Sequence, residues 1–330
     1  MKQFLRTVMT ALALAGLAAP GLAEPQADGR IPLRSTTVKL NAEAPDELDV
    51  GALHYLGGVE LSSADERFGG FSGLLLSADG KRLSAVSDRG YWLQADVFHN
   101  ADDSLVGVAN ARMGRLKGLD GKPMSASRHT DAEGLTVLPN GDWLVSFERQ
   151  HRFRRYPAGA QPLAATPTDL PKPPGIDSAP YNGGMEALVT VADGGVLVLT
   201  EELLEGDDRV AFLWQGGAWS RLTLERHGQF KPTGAARLPD GDVVLLERLF
   251  SPIGGLAIRV SRIAAESIAP GARLNSQQLA VLRPPLAIDN MEGIHAREGR
   301  HGRTLIYIIS DDNYKPILQD TLLLLFALEE

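Results

Sequence analysis

The chain of 330 residues has no cysteine, which excludes disulfides, thiolate metal sites and cysteine nucleophiles. Helix-period apolar stripes are scarce. Beyond the N-terminus no apolar run is long enough to cross a bilayer, and the Leu322 to Leu328 run suits a buried strand. The seven histidines show no zinc spacing of the His-Glu-x-x-His kind. Basic residues are outnumbered, 33 against 41 acidic, so a nucleic-acid partner is not expected. What is present is turn chemistry, with 35 glycines and 20 prolines among short Val/Ile/Leu-rich segments. That combination predicts many short strands.

The N-terminus reads as an export signal. Lys2 and Arg6 precede an apolar Val8–Ala19 stretch, and Gly21-Leu22-Ala23 offers small residues for cleavage after Ala23. There is no Arg-Arg pair, so the general secretory route is expected. Removing residues 1–23 deletes two basic and no acidic residues, taking the net charge from −8 to −10. The expected organisation is a signal peptide at 1–23, an extension at 24–48 and one domain at 49–330. The expected location is the periplasm or the medium, with no membrane anchor after cleavage.

Five segments repeat. Each is a strand, a Gly-containing turn or loop, and a second strand: 71–88, 131–148, 185–201, 232–247 and 291–311. Asp-Gly or Asn-Gly supplies the positive φ of a tight hairpin in the middle three, as Asp79-Gly80 does in the first; the fifth has a longer loop, Arg297 to Arg303. An anchor residue in each first strand (Ser72, Glu133, Glu186, Thr233, Glu292) recurs at steps of 61, 53, 47 and 59 residues. Each step leaves room for two further strands, and segments such as Tyr91–His99 and Ala257–Ile263 fit them. The expected fold is all-β: a single propeller of five blades, favoured over a β-sandwich or open array. The last unit is short of strands, so Asp49–Leu61 is expected to close the ring; it would alternatively begin a sixth blade.

Polar residues recur at two places in the repeat. One is the anchor; the other ends the second strand, at Asp88, Glu148, Glu201, Glu247 and Asp311. The first strand of a hairpin begins where the second ends, so both positions face one mouth of the channel. Like charges held together raise one another's pKa and destabilise a fold. A hard cation such as calcium, with six to eight oxygen ligands, relieves this. Arginine is the other remedy, and Arg89, Arg149 and Arg248 directly follow three of the acids. The alternative is that such acids only cap loop N–H groups, blade by blade.

The segments Asp131-Ala-Glu-Gly-Leu, Gly184-Met-Glu-Ala-Leu, Asp289-Asn-Met-Glu-Gly-Ile, Ala85-Val-Ser-Asp-Arg and Ser310-Asp-Asp-Asn resemble the phytase-like family of bacterial exported proteins, from about Gly69 to the C-terminus. The resemblance implies a propeller, an esterase or phosphoesterase activity and a calcium ion. Ser72 and Thr233 depart from the Glu of the other units, and the lysine-rich clamp of a phytate enzyme is missing; only Lys231 and Lys315 lie near the motifs.

The expected protein is therefore a monomeric hydrolase of small phosphomonoesters or related esters. Calcium would be held by Glu133, Glu186, Glu292, Asp88, Glu148, Glu201, Glu247 and Asp311. The catalytic set would be Glu133, Glu186 and Glu292 with Arg89, Arg149 and Arg248 stabilising charge. The alternative is a non-catalytic periplasmic propeller that binds a ligand or protein partner. Three other signals are set aside. Arg226-His-Gly-Gln-Phe-Lys lacks the arginine of a histidine phosphatase motif. Gly70-Phe-Ser-Gly is not a nucleophile elbow, since Leu74 stands where a glycine is needed. His129 is more simply surface than acid/base. Trp92, Trp143 and Trp214 are expected in blade packing, and Pro157–Pro180 is expected as a solvated interblade loop.

Overall fold

A computed structural model describes residues 29–125, 129–251 and 254–329. The expected signal peptide lies outside the described residues. The five repeats build five antiparallel sheets, each the blade of a propeller. Blade 1 runs Phe71–Leu76, Arg82–Ser87, Tyr91–His99, Leu105–Arg115. Blade 2 runs Ala132–Val137, Trp143–Phe147, Arg152–Tyr156, Thr168–Leu170. Blade 3 runs Met185–Thr190, Val196–Glu205, Asp208–Gln215, Ala218–Leu224, with Arg273–Leu274 added in parallel. Blade 4 runs Lys231–Arg237, Val243–Ser251, Gly255–Ile263, Gln277–Leu282.

Blade 5 takes Met291–Glu298, Thr304–Ser310 and Thr321–Leu328 from the C-terminus. Its next strand is Leu53–Ser62, so the N-terminal segment closes the ring and no sixth blade begins. Arg34–Val38, within the segment read as an extension, forms the outer edge of the same sheet. The apolar C-terminal run is a fully buried strand there.

Alternation along each strand sends apolar side chains to both faces, and the blades bury these faces against one another. Five hydrophobic clusters result, one at each junction between neighbouring blades. Trp92 and Trp143 pack at the junction of blades 1 and 2, and Trp214 at that of blades 2 and 3. The Pro157–Pro180 segment departs from the expected solvated loop. It supplies the outer strand of blade 2, and buries Leu163 and Ile176 against the two flanking clusters. The unpaired edge of Arg152–Tyr156 accounts for the strand.

The innermost strands meet around the axis. A Cβ on Gly234 of blade 4 would stand 2.6 Å from the Glu292 carbonyl of blade 5, and one on Gly293 of blade 5 would stand 2.6 Å from the Ser72 carbonyl of blade 1. Glycine after the anchor in four blades, with the small Ala187 in that place in blade 3, is what lets the inner strands approach so closely. The axis is nearly filled as a result. A cavity of ≈ 10 Å³ lined by Ser72, Glu133, Glu186 and Thr233 has about the volume that one water requires.

Candidate functional site

In every blade the register between the first two strands slips at the anchor residue. The slips fall between Phe71 and Gly73, Ala132 and Leu135, Met185 and Ala187, Pro232 and Gly234, and Met291 and Gly293. A bulge of this kind leaves one residue out of the ladder and re-aims its side chain. The sequence marks the anchor as polar but gives no sign of the bulge that turns it toward the axis.

The second set of acids sits at the same end of the hairpins. The backbone N–H of Asp88, Glu148, Glu201 and Asp311 donates to the carbonyl two residues before the anchor, at 2.8–3.0 Å. Blade 4 differs. In the other four blades the residue opposite anchor-minus-one is Ser87, Phe147, Thr200 or Ser310, each one step before its acid. In blade 4 that place is held by Glu247, opposite Pro232. A slip of one residue reverses the face of a strand side chain. Glu247 therefore points into its own blade, where its Oε2 pairs with Arg259 and accepts from Ser261 Oγ at 3.1 Å. Arg248 takes the place at the mouth. The spacing carried this signal: Glu148, Glu201 and Arg248 each lie seven residues after their turn glycine, and Glu247 lies six.

The mouth thus gathers Asp88, Glu133, Glu148, Glu186, Glu201, Glu292 and Asp311. Asp131, which the sequence reading did not assign, joins them. It stands two residues before its anchor, where blade 4 carries Lys231 and blade 5 Asn290. Asp131 accepts from Arg149 Nε at 2.7 Å. Arg248 bonds Asn290 and lies 3.4 Å from Glu292 and 3.9 Å from Glu201. Lys231 pairs with Glu202 and lies 3.5 Å from Glu201. Arg89 is set apart from these pairs, stacked on the Tyr314 ring at 3.4 Å. His129 is exposed, with its backbone carbonyl bonded by Arg152.

Some of the acids are already engaged with backbone. Glu148 Oε1 accepts from the N–H groups of Gly183 and Gly184, and Asp311 Oδ1 accepts from Asn313 N at 2.6 Å. Others lack such partners. Asp88 Oδ1 is buried with no hydrogen-bond donor. Burial, aggravated by Asp311 and Asp131, pushes the Asp88 carboxyl up to about 7. Glu292 rises to about 8 by burial, against the opposing pull of Arg248. Asp131 and Asp311 rise to about 6, again chiefly by burial. Glu133 and Glu186 stand well above the ordinary carboxylate range, because both are desolvated and lie among other acids.

Burial and like-charge crowding raise these groups even with Arg149, Arg248 and Lys231 beside them. Asp131, Glu133 and Glu148 each offer an oxygen, all within 4.8 Å of one another. The donors are carboxylate oxygens without sulfur, and the orphaned Asp88 oxygen adds an unfilled acceptor to the same mouth. Such a set suits a hard divalent ion.

A family model described as phytase-like, "esterase-like activity of phytase", matches residues 66–314. Among solved structures, a gluconolactonase from Xanthomonas campestris is 12% identical, with 90% of this chain and 99% of that chain covered and a TM-score of 0.45. The PQQ-bound aldose sugar dehydrogenase of Streptomyces coelicolor is 12% identical, with 90% and 99% covered and a TM-score of 0.44. A virginiamycin B lyase from Staphylococcus aureus is 11% identical, with 84% and 85% covered and a TM-score of 0.35. No curated protein matches the chain in sequence.

Proposed function

The chain belongs to the phytase-like family, and from that premise we propose that its axial mouth is a calcium-dependent ester-hydrolysing site, acting on phosphomonoesters or related esters. The observation that carries the reading is the excess of buried carboxylates at the mouth, with Asp88 Oδ1 left without a donor. Asp131, Glu133 and Glu148 would hold the ion, with Asp88, Glu186 and Glu292 beside them. A bound calcium would supply positive charge to the substrate oxygens and a more acidic water.

The remaining work falls to side chains already in place. Arg149 and Arg248 stand against the acids with partly exposed side chains, so their guanidinium forks can receive an anionic oxygen at the rim. Glu186 shares a hydrogen bond with Glu148, and burial together with the neighbouring Glu133 and Glu148 raises its pKa. The nearly closed axis below the anchors confines a substrate to the mouth. Glu247 has no part in this site, and its role is to hold Arg259 within blade 4. Among the described residues no helix is long and apolar enough to cross a membrane. From the export-signal reading of residues 1–23 we further propose that the mature chain works in the periplasm or medium, as a monomer.

The test is turnover of phytate, an aryl phosphate and a short-chain aryl ester by the mature protein, with calcium and with chelator. Calcium-dependent release of phosphate or of the aryl alcohol is the expected result. Chelator-insensitive cleavage would remove the metal from the mechanism, and no turnover would leave a ligand-binding propeller.

A further inference from the structure

The connection between the second and third strands of blade 5, residues 311–320, does not stay within its own blade. Asp312 Oδ1 accepts from Gly70 N at 3.0 Å, which ties the loop to the start of blade 1. The same oxygen accepts from Tyr314 N at 3.0 Å, and Asp311 Oδ1 accepts from Asn313 N at 2.6 Å. Asn313 and Tyr314 stand at φ 49° and 51°. Left-handed backbone is costly for residues other than glycine, and for a bulky ring it is rare. The two aspartates hold the chain in it, and the result is the placement of one aromatic ring.

That ring lands against blade 1. The Tyr314 hydroxyl donates to Ser87 Oγ at 3.2 Å. A Cβ on Gly70 would stand 2.3 Å from Tyr314 Cε2 and 2.3 Å from Asp88 Oδ1, so the ring and the partnerless carboxylate oxygen meet over the same glycine. One face of the ring carries the Arg89 guanidinium, 3.4 Å from its centre. Stacking occupies the face of a guanidinium and leaves the N–H groups along its edge open. Among the described residues, the exposed Arg89 side chain has neither an ion pair nor a hydrogen-bond acceptor. The other cations of the mouth are engaged: Arg149 with Asp131 and Asn182, Arg248 with Asn290 and Glu292, and Lys231 with Glu202.

We propose that Tyr314 is a positioning residue of the mouth, and that Arg89, held on its ring, is the fork that receives the anionic oxygens of the substrate. A free arginine loses side-chain entropy when it binds an anion, and the ring removes much of that cost beforehand. Blade 5 thereby completes a part of the site that blade 1 alone does not fix. The inference rests on the reading of the mouth as the substrate site, and it names the cation that meets the substrate there.

The test is calorimetric titration of the mature protein, in calcium, with methylphosphonate, a tetrahedral oxyanion that has no ester bond. Arg89→Gln should weaken binding by roughly tenfold or more, as loss of a charge-assisted hydrogen-bond pair does. Tyr314→Leu should weaken it by about fivefold, while Tyr314→Phe, which keeps the ring face, should stay within about twofold of the unmodified protein. Beside Arg89→Gln, Tyr314→Leu should cost less than about twofold more, since the two act as one unit. Unchanged binding in Arg89→Gln overturns the fork. Equal losses in Tyr314→Leu and Tyr314→Phe, or a Tyr314→Leu loss that persists in full beside Arg89→Gln, overturn the positioning role. Circular dichroism checks the fold of each variant. Should Tyr314→Leu not fold, Arg89→Lys decides at an exposed position: a loss of about fivefold supports the stacked fork, and unaltered binding overturns it, because a point charge then suffices. Absence of phosphonate binding to the unmodified protein also overturns the inference. Binding in the expected pattern without turnover of any ester supports the fork and removes the hydrolytic reading alone.

Discussion

The two ends of the propeller's inner hairpins carry the same residue types and treat them in opposite ways. At the turn end, acids and amides close their own loops. Asp79 Oδ1 accepts from Ser77 Oγ and Lys81 N, Asn140 Oδ1 from Asp142 N, Asp193 Oδ1 from Gly195 N, and Asp240 Oδ1 from Asp242 N. The carboxyls of Asp79 and Asp142 sit below the usual range; Asp79 takes its shift first from the Ser77 hydroxyl and Asp142 from the Ala158 N–H. At the open end, burial raises Asp88, Asp131, Glu133, Glu186, Glu292 and Asp311. A carboxylate at a turn is stabilised by local donors and water. At the mouth the acids of separate blades are brought together with too few donors. Acidic residues alone do not make a site; the shortage of partners sets the mouth apart.

The sharpest way to break this contrast is to neutralise one acid at each end. Glu133→Gln or Glu292→Gln should lower calcium-stimulated turnover by roughly a hundredfold or more, as loss of a ligand or charge-stabilising group does. Asp142→Asn at the turn end should change it by less than about twofold, measured as kcat/KM on the same substrate.

Glu247 provides the next test, as an acid near the mouth that is fully partnered. Glu247→Gln leaves Arg259 as a buried charge without its counter-ion, and should cost about 3–5 kcal/mol in urea unfolding. If its loss appears in calcium affinity instead of stability, the assignment of Glu247 to the blade interior fails.

Acidity offers a third test. In chelator the folded chain holds protons on Glu292 and Asp88 up to about 8 and about 7, above the ordinary carboxylate range in which the unfolded chain loses them. The stability of the metal-free protein is therefore full below about pH 4 as far as these groups are concerned, and is lost as pH rises through about 8. The melting temperature in chelator should fall over that window, calcium should restore it, and Glu292→Gln should flatten the slope. The smallest effect belongs to the turn end, where Asn140→Ala should cost about 1 kcal/mol and leave the calcium response unaltered.

Much of this molecule was legible along the chain. The five repeats placed the ten inner strands, and the short last repeat pointed to an N-terminal closing strand while leaving a sixth blade open. Asp131 and Arg248 were also within reach, through the position two before the anchor and the seven-residue spacing from the turn glycine. The exposure of Phe250, Ile317 and Leu318 was not, because nothing local distinguishes an apolar residue on an exposed hairpin or loop from one in a core.

The sequence by itself determined the inner strands and turns of the five repeats, because alternation and Asp-Gly turns are local properties of the backbone; whether the N-terminal strand closed the fifth blade or began a sixth was left to the tertiary structure. Only the tertiary structure decided which acids share a mouth. Five bulges, one slipped register and the closing strand Leu53–Ser62 set the direction of each side chain. A shift of one residue reverses that direction, which is why Glu247 became a structural partner of Arg259 and Arg248 became a neighbour of Glu292.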